Sequence, residues 1–113
     1  QFPQGTRFDH YLYRDLEVTP DFDPMVGKLI TKGLLRSIAI RKMTCALDGL
    51  LVEGLKTNIP LHKVIVRNKK FLAGNYSTAF IVDEKPQEQV NVEINYLDIY
   101  KKLACIEARR MGI

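Results

Sequence analysis

The chain has 113 residues, 46% of them hydrophobic and 27% charged, and a net charge of +4. That length and apolar share suit one compact domain with a modest core. No apolar run approaches the roughly 18 residues of a membrane helix, and the basic positions lack the stacking aromatics or motif of a nucleic-acid binder, so no membrane and no nucleic-acid partner is expected.

The opening residues, QFPQGTRFDH, lack the order of a signal peptide and an initiator Met, so the chain reads as a piece cut from a longer polypeptide. Pro3 to Gly5 form a turn-prone entry. Arg7 to Tyr13 then alternate, with Phe8, His10 and Leu12 on one side and Arg7, Asp9, Tyr11 and Tyr13 on the other. Period two over seven residues predicts a strand. Arg14 and Asp15 break it, and Leu16 to Thr19 is expected to return as a short strand. Pro20 and Pro24 keep the next stretch extended. Met25 to Thr31 reads as a strand closed by Lys32 and Gly33, with Gly27 marking a bulge or a close approach.

Ala39, Met43, Ala46, Leu47 and Leu50 recur at helical spacing, while Arg41, Lys42 and Asp48 face away. Leu51 to Lys56 is apolar enough for a strand, with Gly54 as a second bulge or close-approach point. Thr57 or Asn58 can cap the next helix, which tolerates Pro60 only in its first turn. Leu61, Val64 and Ile65 supply its apolar stripe. Phe71 to Gly74 predicts a brief helical turn stopped by glycine, and Thr78 to Val82 either an edge strand or the start of a last helix. The polar stretch from Asp83 to Asn91, with Pro86, reads as linker. Leu97, Tyr100, Leu103, Ala104 and Ile106 then predict a final helix whose basic end carries Arg109 and Arg110. Cys45 and Cys105 each lie in a helical apolar pattern, so two buried reduced thiols and a cytoplasmic location are expected.

Complete catalytic motifs are absent from the sequence. It contains no phosphate-binding GxxxxGK[ST] loop, no G-x-S-x-G elbow and no Met-Lys-Met biotin-acceptor signature. His10 and His62 are far apart and lack spaced Cys or acidic partners for a metal.

Two runs carry more information, DFDPMVGKLITKG (Asp21 to Gly33) and EGLKTNIPLHK (Glu53 to Lys63). Their small, polar and kinking residues stand at set distances that generic strand or helix formation does not require. Together with GTRFDHYLYRDLEVTPDFDP, they resemble the C-terminal domain of biotin carboxylase, the ATP-dependent component of acetyl-CoA, propionyl-CoA and pyruvate carboxylases. The resemblance covers Gly5 to about Ile81, and beyond Val82 the sequence shows no clear counterpart.

The resemblance implies an α+β fold: a small antiparallel sheet packed by helices, following an ATP-grasp domain. It divides the chain into the domain proper at 1–82, a linker at 83–94 and a helical extension at 95–113. It places Arg7 on the family's catalytic arginine, near bicarbonate and the biotin ureido group. Such chemistry suits arginine, whose planar and permanently charged fork binds two oxygens and cannot lose its proton to a base. Lys28, Gly54, Lys56, Thr57 and Asn58 also match the family, each with a plain folding role. Arg36 and Glu53 match positions near a subunit contact, where Lys32 replaces an aromatic found in some members.

Implied cofactors are biotin on a carrier protein, ATP, and magnesium or manganese, bound mainly by domains outside this chain. Implied partners are the ATP-grasp domains of the same polypeptide, the biotin carboxyl carrier protein, a carboxyltransferase and a second copy in a homo-oligomer. The chain alone is expected to be inactive. A second reading is a non-catalytic interaction module whose basic C-terminal helix docks an acidic partner.

Overall fold

A computed structural model of the chain describes residues 1–21 and 23–90. The expected final helix and Cys105 lie outside the described residues. Where composition suits one compact domain, the fold gathers into two units, Gln1–Glu53 and Gly54–Ile113.

In the first unit, strand β1 (Thr6–His10) pairs antiparallel with β2 (Gly27–Thr31). Partners run from Thr6 opposite Thr31 to His10 opposite Gly27. Helix α1 (Arg36–Gly49) packs on both strands. The strand period sorts the side chains cleanly. Thr6, Phe8, Leu29 and Thr31 are half-buried, while Arg7, Asp9, Lys28 and Ile30 lie exposed on the other face. On the covered face the Thr31 hydroxyl donates to the Ala39 carbonyl of α1 at 2.9 Å. Ala46 and Leu47 of α1 are buried, as the helical spacing predicts.

The strands are shorter than their apolar pattern: past His10 the ladder fades into one long bond, from the Tyr11 amide to the Val26 carbonyl at 3.4 Å. The Leu12 amide donates to His10 Nδ1 at 3.1 Å, and the Met25 amide donates to Asp23 Oδ1 at 2.9 Å. The expected return strand at Leu16 to Thr19 does not form. The Leu16 amide closes a turn onto the Tyr13 carbonyl at 3.2 Å, with Asp15 left-handed at φ 63°. Gly27 is a close-approach point, as expected. A Cβ there would stand 2.8 Å from Phe8 Cε2 and 3.2 Å from the Asp9 carbonyl oxygen, so a larger residue would separate the strands.

Three further expectations change. Leu51 to Lys56 forms no strand, so the sheet among the described residues has two strands instead of four. Gly54 is left-handed there, at φ +78°, and its surroundings are open, so the expected close approach is absent. Cys45 is exposed, not buried, because it shares the outward stripe of α1 with Arg41 and Asp48. Lys42 does not face away. It is half-buried, and its ammonium donates to the Lys32 carbonyl at 2.9 Å.

The second unit carries α2 (Ile59–Arg67), α3 (Lys69–Leu72) and α4 (Phe80–Glu84). Pro60 sits in the first turn of α2, where a missing amide proton costs nothing. Asn58 occupies the cap position without a side-chain bond, and Thr57 Oγ1 instead accepts from the Ile59 amide at 3.4 Å. Val64 and Val66 are the buried residues of α2, with Ile65 only half-buried. α3 ends as its glycine predicts. Gly74, at φ 73°, donates to the Phe71 carbonyl at 3.1 Å, and the Asn75 amide reaches the Lys70 carbonyl at 2.9 Å. The stretch read as linker is helical on both sides of Lys85, through Glu84 and again at 86–90. Pro86 starts that second stretch and is fully buried.

Candidate functional site

The exposed face of the β1–β2 pair is the place where the candidate residue stands. Alternation puts Arg7 and Asp9 on it from one strand, and the register sets Ile30 opposite Arg7 and Lys28 opposite Asp9. Arg7 Nε lies 3.2 Å from Asp9 Oδ1, with the two side chains 70% and 52% exposed. An ion pair so open to solvent adds little to folding. It sets opposite charges side by side on the open face of the strand. Arg7 thus presents an exposed guanidinium on a paired strand, a group able to bind a planar anion through two oxygens.

Of the other residues singled out from sequence, only Lys28 shares this face. Lys32 and Arg36 are exposed, between β2 and α1 and at the start of α1 respectively. Glu53 is exposed at the end of the first unit. Gly54, Lys56, Thr57 and Asn58 belong to the second unit. The pairing of Arg7 with Asp9 was open to discovery in the sequence, since an acid two positions along a strand shares a face with its base.

The second unit holds a polar cluster that no spacing rule announced. Asn68 Oδ1 accepts from the amides of Lys70 at 2.8 Å and Phe71 at 3.2 Å, capping α3. Its Nδ2 donates to Glu84 Oε2 at 3.2 Å, and Glu84 is ion-paired with Lys70. A pocket of about 270 Å³ lies beside them, bordered by Tyr76, Phe80 and Asp83. The Lys70 bond, then the Asn68 bond, holds the Glu84 carboxyl below its ordinary value of 4.5. The Glu84 bond raises the Lys70 ammonium above its ordinary 10.5. Both charged forms are thus favoured by folding, and the cluster reads as a clasp between α3 and α4.

Its contribution is fully present between those two ordinary values. It is lost as pH falls through the lowered Glu84 value or rises through the raised Lys70 value. The urea midpoint difference between the parent and Glu84→Gln is therefore expected to be constant near neutrality and to shrink towards zero in acid. A difference that stays flat far below the ordinary carboxylate range would refute the clasp.

Among the described residues, no group of three or more His, Cys, Asp and Glu side chains is placed to hold a metal ion. The metal implied by the resemblance thus has no such donor cluster among the described residues. Nor is any helix among them long and apolar enough to cross a membrane.

Comparison with known proteins gives a consistent result. The model of the family described as the biotin carboxylase C-terminal domain matches residues 1–103, so the likeness runs past Val82. The chain is 40% identical over 77 residues to a biotin carboxylase of Haemophilus influenzae, covering 68% of this chain and 17% of that protein. It is 42% identical over 77 residues to a pyruvate carboxylase component from Methanothermobacter thermautotrophicus, covering 68% and 16%. The propionyl-CoA carboxylase alpha chain of Ruegeria pomeroyi is 34% identical over 104 residues, covering 92% and 15%. The chain spans about a sixth of the length of the curated relatives it matches.

Proposed function

The chain belongs to the biotin carboxylase C-terminal domain family, and from that premise we propose that it completes the site where ATP and bicarbonate are used to carboxylate carrier-bound biotin. The observation that supports this reading is the presentation of Arg7, an exposed guanidinium on the open face of a strand, ion-paired with Asp9. Biotin, when bound, supplies the ureido nitrogen that takes up the carboxyl group. Arg7 would hold fixed positive charge where the ureido oxygen gains negative charge. Pre-placed charge of this kind favours the transition state because it needs no reorganisation as the reaction proceeds.

The remaining parts of the site belong to the wider polypeptide in this reading. ATP-grasp domains would bind the nucleotide with magnesium or manganese, and a biotin carboxyl carrier protein would deliver the biotin. A carboxyltransferase would take the product, and the full enzyme would work as a homo-oligomer in the cytoplasm. The names of the relatives support a biotin-dependent carboxylase and leave the acceptor open, since they include pyruvate and propionyl-CoA enzymes.

The test is biotin-dependent ATP cleavage in the presence of bicarbonate. The full-length polypeptide carrying this segment is expected to show it, and the isolated chain to show none. A full-length protein without that activity would overturn the function. Turnover by the isolated chain would overturn the division of the site.

A further inference from the structure

We propose that the cavity beside the α3–α4 clasp is a binding site for an alkylguanidinium cation, the group that ends an arginine side chain. Charge decides the sign of the ligand. Lys70, Asp83 and Glu84 are the ionised side chains that border the cavity. Both oxygens of Glu84 are engaged, one by the Lys70 ammonium and the other by Asn68 Nδ2 at 3.2 Å. Lys70 and Glu84 therefore cancel as a pair. Asp83 acts on Lys70 only as a nearby charge, and among the described residues its carboxylate has neither a hydrogen bond nor an ion pair. The cavity thus keeps one unspent negative charge. An anion would meet repulsion from Asp83 and would have to take Lys70 away from Glu84.

The rings decide the shape. Tyr76 and Phe80 border the cavity with centroids 6.0 Å apart and planes at 74°. Phe71 stacks on Tyr76 but does not border the cavity, so Tyr76 meets it with surface that Phe71 leaves uncovered. Aromatic surface beside a carboxylate suits a cation, because attraction to the ring adds to attraction to the charge. A guanidinium suits it better than an ammonium. It is flat, more weakly hydrated and able to stack on a ring, and its two-pronged edge matches a carboxylate. The volume of about 270 Å³ falls below the roughly 300–1,000 Å³ of drug-sized ligand sites, so the cavity admits one such group and no nucleotide. The site lies wholly in the second unit and does not depend on the role of Arg7.

The experiment follows N-acetyl-arginine amide by saturation-transfer NMR on the full-length polypeptide in three forms: parent, Asp83→Asn and Glu88→Gln. The parent is expected to bind it saturably, and to bind N-acetyl-norleucine amide, which lacks the charge, not at all. Asp83→Asn keeps the shape of the side chain and should weaken binding on the order of tenfold, the usual cost of a charge-assisted hydrogen bond. Glu88→Gln removes the same charge from a residue outside the cavity and should bind as the parent does. Asp83 and Glu88 are both exposed, so neither change is expected to disturb folding. A blocked pentapeptide with a central arginine distinguishes the source of the cation. Tighter binding than the amide assigns the site to an arginine of a protein partner, and binding no tighter assigns it to a small free cation. No saturable binding by the parent, parental affinity in Asp83→Asn, or an equal loss in Glu88→Gln would overturn the proposal.

Discussion

On the role proposed for Arg7, Arg7→Ala in the full-length polypeptide is expected to lower biotin carboxylation by roughly 10²–10³-fold, the usual cost of removing one pre-placed donor from a site of developing charge. The loss should fall on kcat, with ATP binding nearly unchanged, because the proposed function assigns nucleotide and metal to other domains. Folding should not contribute. The Arg7 side chain is exposed, and its ion pair with Asp9 is open to solvent, so truncation belongs with surface changes worth about 0.5 kcal/mol or less. Thermal unfolding of the variant provides the control. Arg7→Lys is expected to recover little of the rate, since an ammonium offers a point charge and no two-pronged edge. A parental carboxylation rate for Arg7→Ala would exclude the residue from the site.

That Arg7 projects from a sheet face was legible in the sequence, because period two in RFDH assigns alternate side chains to opposite faces whatever the strand's partner. The buried pair Ala46 and Leu47 was legible for the same reason at period 3.6. Element ends were not. Just past the strand ends the His10 imidazole takes the Leu12 amide and Asp23 takes that of Met25, turning the chain locally. Both are side-chain choices that hydrophobic pattern does not encode. Leu51 to Lys56 misled by its apolar content, where the chain instead turns through a left-handed Gly54. The clasp of Asn68, Lys70 and Glu84 was illegible because its members meet across 16 positions of sequence through the fold alone. Asn68 could be guessed as a cap, but its second bond could not.

Phe80→Ala is expected to cost about 3–5 kcal/mol, the range for deleting a buried phenyl ring. Phe80 is 8% exposed at the start of α4. It meets Phe71 edge-on at a centroid distance of 6.3 Å and Tyr76 at 6.0 Å, while Phe71 and Tyr76 stack at 5.2 Å. The three rings come from α3, the following loop and α4, so one ring holds three segments together. Its loss removes both transfer free energy and two aromatic contacts, and it leaves a cavity that the short helices can only partly close. Since whole domains are stable by only about 5–15 kcal/mol, this is a large share of the total. Val82, two residues along the same helix, is 72% exposed and provides the comparison. Val82→Ala should change stability by about 0.5 kcal/mol at most. Urea unfolding of the two variants gives the answer, and similar midpoints for both would mean that the aromatic cluster does not anchor α4. The expected large gap would instead make the clasp at Glu84 secondary to the rings beneath it. Lys70 keeps more than half of its side chain in solvent, so its pair with Glu84 cannot replace what the rings bury.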